Sequence, residues 1–206
     1  MSAVTCSLCP RHCRIGPGER GFCYARGESL GKVTFMDYGR LSAIAIDPIE
    51  KKPLYHFLPG TDILSLGTVG CNLNCKFCQN CHISRDRTGV PLKLQATPLE
   101  VMTMAKNERC PSIAFTYNEP LVSFEYVMDV CQLVRAENIK TVAVTAGYVE
   151  GQKRRDFFSV MDAANIDLKG FTEEFYSKNC GAKLSPVLET LQYVHEETSC
   201  WLEVTT

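Results

Sequence analysis

The sequence has little of what would direct a protein to a nucleic acid or a membrane. Its 22 Lys and Arg residues nearly balance 23 Asp and Glu residues, so the formal net charge is −1. No overall field therefore attracts the chain to nucleic acid or anionic lipid. No apolar run is long enough to span a membrane, and the polar, cysteine-bearing first residues lack the pattern of a signal peptide. We expect a cytoplasmic protein that binds neither nucleic acid nor membrane.

Cysteine, in contrast, is abundant, with 12 residues in the chain. In a secreted protein this count would suggest disulfides, but the lack of a secretion signal and the clustered spacings favour metal sites in a reducing compartment. Two clusters are present, at residues 6–23 and 71–78. Four other cysteines stand alone and are expected to be small buried or half-buried side chains: Cys110, Cys131, Cys180 and Cys200.

Strand and helix patterns alternate from residue 61 onward. Short apolar runs predict five strands, at residues 63–66, 112–117, 141–145, 164–168 and 201–206. Helical patterns lie between them, at residues 97–107, 124–138, 154–161 and 186–197. Thr97 followed by Pro98 and Glu100 is a typical helix start. Alternation with short connections predicts an α/β fold, with a parallel sheet covered by helices.

The first 60 residues differ from the rest, being rich in Cys, Gly, Pro and Arg. We interpret residues 1–60 as a small Cys-rich amino-terminal extension and residues 61–206 as the core domain. Apolar runs at 32–36 and 41–46 predict two short strands that meet in a hairpin around Gly39. The last predicted strand is followed by neither turn nor helix. Because an exposed edge strand has unpaired backbone groups that can pair with another chain, we expect the natural protein to continue beyond Thr206.

The loop Cys71-Asn-Leu-Asn-Cys75-Lys-Phe-Cys78 directly follows the first core strand. Thiolates are the usual ligands of iron–sulfur clusters, and three of them leave one iron of a four-iron cluster without a protein ligand. An open position also separates catalytic from structural zinc sites. The alternatives are a zinc knuckle or a ferredoxin loop, although ferredoxin spacing differs. Cys81 is interpreted as a packing residue or a redox-sensitive spectator thiol.

Further polar residues follow the carboxyl ends of the later strands, where parallel α/β proteins gather their functional loops. These candidates are Glu119, Thr145, Gly147, Asp167 and Lys169. Asp167 and Lys169 share one face with Asn165, because strand side chains alternate. Opposite charges on an inner face are costly unless they bind something. The alternative for Asp167 and Lys169 is a structural ion pair at a barrel rim.

The spacing Cys71-x3-Cys75-x2-Cys78, with Phe77 before the last cysteine, resembles the radical S-adenosylmethionine (SAM) superfamily. The resemblance implies a partial (β/α)6 TIM-like barrel, truncated here after the fifth strand. It implies that the three cysteines hold a [4Fe-4S] cluster whose open iron is chelated by SAM. One electron, from a donor such as flavodoxin or ferredoxin, would then cleave SAM to methionine and a 5′-deoxyadenosyl radical that abstracts hydrogen from a substrate.

The same resemblance gives roles to the other candidates. Phe77 would flank the adenine of SAM. Glu119 stands where the superfamily has a Gly-Gly-Glu-Pro-like turn that binds the SAM amino group, although the glycines are absent here. Thr145-Ala-Gly147 resembles a Thr-Asn-Gly motif of pyruvate formate-lyase activating enzymes and would shape the pocket. Asp167-Leu-Lys169 resembles their Asp-Leu-Lys motif and would lie near the SAM carboxylate and ribose.

A second cluster has the spacing Cys6-x2-Cys9-x3-Cys13-x9-Cys23. Four cysteines could form a structural tetrahedral zinc site or hold an auxiliary iron–sulfur cluster, and glycines between them permit the tight turns that this needs. A set of free thiols is the alternative. Nearby arginines, such as Arg11 and Arg26, would balance thiolate charge.

This amino-terminal pattern, together with residues 47–57, resembles the AmmeMemoRadiSam system radical SAM enzyme, a group often labelled as homologous to pyruvate formate-lyase activating enzyme. The resemblance implies an activase that makes a glycyl radical on a partner protein. A second hypothesis is an oxidoreductase that modifies a small molecule or another protein, beside Memo-like and AMMECR-like partners. A third is a non-catalytic iron–sulfur or zinc protein. Four residues would reach the site mouth or form a structural strap: Lys51, Lys52, Tyr55 and His56.

Overall fold

The computed structural model describes residues 2–85 and 93–206. Its strands, in chain order, are β1 Val4–Thr5, β2 Arg14–Ile15, β3 Arg26–Ser29, β4 Lys32–Phe35, β5 Arg40–Leu41, β6 Ala43–Pro48, β7 Asp62–Gly67, β8 Leu94–Gln95, β9 Ser112–Phe115, β10 Lys140–Thr145, β11 Ala163–Asp167 and β12 Trp201–Thr205. Its α-helices are α1 Cys81–Ser84, α2 Pro98–Asn107, α3 Phe124–Ala136, α4 Gly151–Ser159, α5 Glu173–Phe175 and α6 Ser185–Glu197. Single 3-10 turns lie at Ile49–Lys51 and Pro120–Ser123, and a π-helical turn at Tyr176–Cys180.

A six-stranded sheet organises the fold, in the order β12-β11-β10-β9-β7-β6. Its parallel strands are β7, β9, β10, β11 and β12, whereas β6 pairs antiparallel with β7. Helices connect consecutive parallel strands, as expected for strands that run in the same direction. The predicted α/β fold with a mostly parallel sheet is therefore confirmed, and the parallel strands end at one common edge.

Both faces of the sheet are covered by apolar side chains. One face buries Ile113, Phe115 and Ile166 in the larger core, together with side chains of the helices. The opposite face buries a smaller cluster in which Ile49 and Leu54 pack across the strands. The strand members of that cluster are Ile63, Ala114, Val142 and Ala163. Because successive strand residues alternate faces, the two clusters explain why the strands read as continuous apolar runs.

The helices begin where the sequence places their start signals. Thr97 caps α2 in a capping box, where its backbone N–H donates to Glu100 at 2.7 Å and the Glu100 N–H donates to Thr97 Oγ1 at 3.3 Å. Helix α3 buries Val127, Val130 and Val134 on one side, as its periodicity predicts. Helix α4 begins three residues before the predicted start.

The predicted hairpin around Gly39 is wrong. β4 pairs instead with β3, while β6 pairs with β7 across the main sheet. The apolar run at 41–46 identifies a strand but carries no information on its partner. By joining the larger sheet, β6 pairs with β7 along its whole length. β6 belongs to the first 60 residues yet forms part of the core sheet, so the division at residue 60 stays a prediction.

Candidate active site

A pocket of about 700 Å³ opens at the carboxyl ends of the parallel strands. Ligand pockets have volumes of roughly 300–1,000 Å³, so this one suits a nucleoside-sized molecule. Eight of the predicted site residues line it: Cys71, Cys75, Phe77, Cys78, Glu119, Thr145, Asp167 and Lys169. Gly147 is not among the described residues that line it. The structure thus brings together side chains that lie at, or just after, the carboxyl ends of four different strands.

The loop between β7 and α1 is fixed at its start by Asn118. The Thr68 N–H donates to Asn118 Oδ1 at 2.9 Å. Asn118 Nδ2 in turn donates to Thr68 Oγ1 at 3.0 Å and to the Gly70 carbonyl at 2.9 Å. Gly70 has φ +88°, a left-handed conformation that favours glycine. The sequence prediction named Glu119 in this turn but missed the role of its neighbour Asn118.

The three thiols of this loop, hereafter the cluster loop (residues 71–78), are each held by a nearby group. The Leu73 N–H donates to Cys71 Sγ at 3.3 Å. Cys78 Sγ lies 3.3 Å from Ser84 Oγ. Cys75 packs against the buried cluster that contains Cys180 of the π-helical turn. Burial raises the pKa of Cys75 to about 12, although nearby Lys169 acts to lower it.

The π-helical turn at Tyr176–Cys180 braces the cluster loop from outside. The Asn74 N–H donates to the Cys180 carbonyl and the Lys76 N–H to the Asn179 carbonyl, both at 2.8 Å. These bonds satisfy backbone donors of an irregular loop that would otherwise need water. The five residues of this turn show no helical periodicity, so the sequence does not predict it.

Glu119 is the most deeply buried acid of the pocket, with 3% of its surface exposed. Its carboxylate accepts hydrogen bonds from Thr145 Oγ1 at 2.6 Å, the Ala146 N–H at 2.8 Å and the Leu121 N–H at 3.2 Å. Burial raises the pKa of Glu119, while these hydrogen bonds and Lys169 act to lower it. A buried carboxylate whose charge is only partly compensated favours a cationic ligand.

Asp167 and Lys169 form an ion pair at 2.6 Å on the pocket wall. Burial acts to lower the pKa of Lys169, but the charges of Asp167, Cys75 and Cys71 outweigh it and raise the pKa. Lys169 is thus a permanent cation beside the thiols of the cluster loop. The ion-pair alternative and the ligand-binding hypothesis both fit this geometry, because the pair forms and also faces the pocket.

Phe77 and Gly147 occupy different surroundings. The Phe77 ring is 52% exposed at the pocket, and its centroid lies 6.1 Å from that of Phe175. An aromatic face of this kind can stack on a planar ring. Gly147 has φ +65°, and a Cβ there would come within 3.1 Å of Ile166. It therefore shapes the turn that carries Thr145 and does not itself line the pocket.

A buried network around Lys52, which also lines the pocket, was only partly predicted. Lys52 is 3% exposed, and its ammonium lies 2.7 Å from Asp47 and 4.8 Å from the Tyr117 ring centroid. The Tyr117 hydroxyl donates to Asp47 at 3.0 Å. Lys51 and Lys52 line the pocket. Tyr55 and His56, also predicted at the mouth, instead donate their backbone N–H groups to Glu203 of β12.

The remaining cysteines fall into three groups. Cys110, Cys131, Cys180 and Cys200 are buried, as predicted, and Cys81 is exposed. The amino-terminal set, Cys6, Cys9, Cys13 and Cys23, lines one small void. Within residues 2–85 and 93–206, no three His, Cys, Asp or Glu side chains are close enough together to hold a single metal ion as they stand. The thiols of a cubane cluster bind different irons, so the cluster loop does not need that closeness.

A family model described as the radical SAM superfamily matches residues 65–205. The chain belongs to the radical SAM superfamily. Radical SAM proteins use an iron–sulfur cluster and SAM for radical chemistry, and this chain is accordingly an enzyme. The match begins within β7 and ends with β12, so it includes the cluster loop and the pocket.

Known proteins of several kinds are similar to this radical SAM chain. Uncharacterized protein MJ0808 of Methanocaldococcus jannaschii is 42% identical over 203 residues, which are 98% of this chain and 60% of that protein. Human molybdenum cofactor biosynthesis protein 1 is 36% identical over 84 residues, 38% of this chain and 12% of that protein. The structure of TYW1 with a lysine-pyruvate adduct bound superposes with a TM-score of 0.52 at 14% identity, over 78% of this chain and 64% of that chain, which shows a shared fold.

The residues present fit the cofactors that the radical SAM superfamily uses. Three thiols, the donors that iron–sulfur clusters take, share one pocket with a lysine cation and a buried carboxylate. In the part of the chain that the structure describes, no helix is both long and apolar enough to cross a membrane.

Proposed function

We propose that Cys71, Cys75 and Cys78 hold a [4Fe-4S] cluster and that SAM binds beside it in the pocket of about 700 Å³. When bound, these cofactors supply one-electron cleavage of SAM to a 5′-deoxyadenosyl radical that takes hydrogen from a substrate. The observation that carries the proposal is that the three thiols of one loop share a single pocket with Glu119, Asp167 and Lys169. The protein contributes binding, orientation and exclusion of water.

The cluster loop supplies ligands and compensates their charge. Thiolates in a half-buried loop are costly unless hydrogen bonds or cations accompany them. The Leu73 N–H provides a hydrogen bond to Cys71 Sγ. Lys169 provides a cation beside Cys71 and Cys75. Asn118 keeps the start of the loop in register with the end of β9.

Glu119 is proposed to bind the amino group of SAM. Its two oxygens accept three hydrogen bonds from Thr145, Ala146 and Leu121, and a carboxylate offers about four acceptor positions. The remaining position can accept from an ammonium, whose positive charge would stabilise the buried carboxylate. Thr145 holds the carboxylate in place and receives the Gly147 N–H at 3.0 Å, so Gly147 supports the pocket through Thr145.

Asp167 and Lys169 are proposed to meet the ribose and the carboxylate of SAM, with Phe77 against the adenine. A lysine ammonium can attract a carboxylate, and an aspartate can accept hydrogen bonds from ribose hydroxyls. The ion pair between them fixes both side chains at the pocket wall before a ligand arrives, which lowers the ordering cost of binding.

The chain spans about 60% of the length of its Methanocaldococcus relative, so substrate and partners of the whole protein are proposals. We propose that the parallel sheet is the main part of a partial (β/α)6 barrel, with residues 1–60 as an extension. An activase of the pyruvate formate-lyase activating type is the first hypothesis. Radical modification of a small molecule or another protein, with Memo-like or AMMECR-like partners, is the second. Both need an electron donor such as flavodoxin or ferredoxin, and both place the enzyme in the cytoplasm.

The test is anaerobic reconstitution of the full-length protein with iron and sulfide, followed by SAM and a chemical reductant. We expect 5′-deoxyadenosine, measured by chromatography and mass spectrometry. Cys75→Ala should reduce its formation by at least about 1,000-fold, as expected for loss of an essential cofactor ligand. Cys81→Ala is the matched control, because this nearby cysteine is exposed and outside the pocket lining, and it should form normal amounts.

Two results would contradict the proposal: no 5′-deoxyadenosine from the reconstituted protein, or undiminished product from Cys75→Ala. The hydrogen donor then separates the two substrate hypotheses. Deuterium that enters 5′-deoxyadenosine from a glycine of a partner protein supports the activase, whereas deuterium from a small molecule or from another residue supports the second hypothesis.

A further inference from the structure

The amino-terminal cysteines are distant in sequence from the cluster loop and are not used by the proposed function. Cys6 follows β1, Cys9 and Cys13 lie in the turn to β2, and Cys23 precedes β3. The Cys6 N–H donates to the Cys13 carbonyl at 2.9 Å and closes this turn. All four side chains line one void of about 10 Å³. A void of roughly 10–15 Å³ holds about one water-sized atom, so the space that the four thiols surround matches the size of a single ion.

A backbone N–H group points at one of the four sulfurs: the Phe22 N–H lies 3.5 Å from Cys13 Sγ. In the cluster loop the Leu73 N–H likewise donates to Cys71 Sγ at 3.3 Å. A hydrogen bond of this kind stabilises a thiolate over a thiol.

The charges around the void also suit a metal bound by four thiolates. Such a site with a divalent ion carries two excess negative charges, and Arg11 and Arg26 both line the void. Arg26 is 5% exposed and forms a bidentate pair with Glu125, with both N–O distances at 2.7 Å. Its Nε is buried without a hydrogen-bond partner among the described residues. Arg26 lines the same void as the four cysteines, so this Nε–H is available to donate to a thiolate.

We propose that Cys6, Cys9, Cys13 and Cys23 bind one structural Zn²⁺ that supports the cluster loop. Zinc favours four ligands in tetrahedral geometry, and four cysteines form a closed site with no open position. The thiols must turn inward on binding, because no three of them stand at single-ion distance here. Coupling of metal binding to such local ordering is usual for structural zinc.

Two contacts connect this site to the cluster loop. Arg11 Nε donates to the Asn72 carbonyl at 2.6 Å, and its guanidinium also donates to the Gly181 carbonyl. A Cβ at Gly70 would collide with the carbonyl oxygen of Cys23, so the two segments are in direct contact. Ordering of residues 6–23 by zinc therefore restricts the position of residues 70–72.

The experiment uses the full-length protein with Cys71, Cys75 and Cys78 all replaced by alanine, so its result does not depend on the proposed cluster. After anaerobic purification, elemental analysis should find one zinc per chain. Adding Cys9→Ser and Cys23→Ser should reduce zinc at least about 10-fold, whereas adding Cys81→Ser should leave one zinc. Absence of zinc from the triple variant, its replacement by iron with sulfide, or zinc retained after the two serine changes would overturn the proposal.

A second measurement covers the case in which the serine variant fails to fold. The triple variant, unfolded in a chelator and refolded with Co²⁺, should show the intense visible bands of a tetrahedral tetrathiolate site. Refolding without such bands would also overturn the proposal.

The role of this zinc in supporting the cluster loop rests on the proposed function. After reconstitution, zinc-depleted protein that retains Cys71, Cys75 and Cys78 should keep several-fold less iron than zinc-loaded protein. Equal iron contents would show that zinc does not support the cluster loop.

Discussion

The two cysteine clusters use the same donor atom in opposite surroundings. In the cluster loop the thiols face a pocket of about 700 Å³, whereas the amino-terminal thiols surround a void of about 10 Å³. The first leaves room for a ligand beside the thiols, and the second leaves room for about one ion. The space beside the donor atoms, more than the donor atoms themselves, therefore distinguishes a site that can bind a reactant from one that can only bind a metal ion.

The charged side chains near the two cysteine clusters also differ, and they suit different ligands. Beside the cluster loop lie both a buried acid, Glu119, and a cation, Lys169, which suits a ligand with groups of both signs. Beside the amino-terminal set lie Arg11 and Arg26, which only offset negative charge. A zwitterionic ligand is expected at the first cluster and none at the second.

Gly70→Ala should have the largest effect, because Gly70 is one of the points where the two regions touch. The added methyl group would meet the Cys23 carbonyl and the Ala25 side chain at a φ of +88°. We expect destabilisation of about 3 kcal/mol or more, since a collision adds to left-handed strain of about 1–3 kcal/mol. Urea unfolding of the metal-free protein measures it. Gly60→Ala is the control, with φ +77° and nothing within 4 Å of the added Cβ; equal losses in both variants would rule out the contact.

Glu119→Gln should have the next largest effect and should change only the pocket beside the cluster loop. The amide keeps the shape but loses the charge and one acceptor atom, so at least one of the three hydrogen bonds to Glu119 is lost. We expect SAM binding to weaken by about 10- to 100-fold, because a hydrogen bond to a charged group contributes roughly 1.5–3 kcal/mol. Equilibrium binding measures this, and zinc content should not change.

Glu203→Gln is the matched control for Glu119→Gln. Its carboxylate also accepts two backbone N–H groups, from Tyr55 and His56, but it is not among the described residues that line the pocket. SAM affinity should stay within about 2-fold of the unmodified protein. Comparable weakening in both variants would show that Glu119 acts only through the fold.

Asp47→Asn should have the smallest effect, and one that depends on pH. Burial alone would raise the pKa of Asp47, but hydrogen bonds from Lys52 and Tyr117 lower it from 3.8 to about 2. Since the folded pKa is the lower one, the stabilisation is complete above about pH 4 and is lost as the pH falls toward 2. We expect Asp47→Asn to cost about 1–2 kcal/mol at pH 7 and much less near pH 2.5. A difference in unfolding free energy that is independent of pH would contradict this origin.

The parallel strands, the capped start of α2 and the grouping of eight site residues could be predicted, because each depends on local patterns. A strand's periodicity fixes its faces, and parallel pairing then fixes which ends meet. The antiparallel partner of β6 could not be predicted, since an apolar run does not specify its neighbour. Asn118 and the turn at Tyr176–Cys180 act through backbone groups of the cluster loop, which leave no side-chain pattern.

The contact at Gly70 also has a consequence for biogenesis. The start of the cluster loop lies against the segment around Cys23. We therefore expect folding of the amino-terminal segment to precede and assist loading of the proposed iron–sulfur cluster.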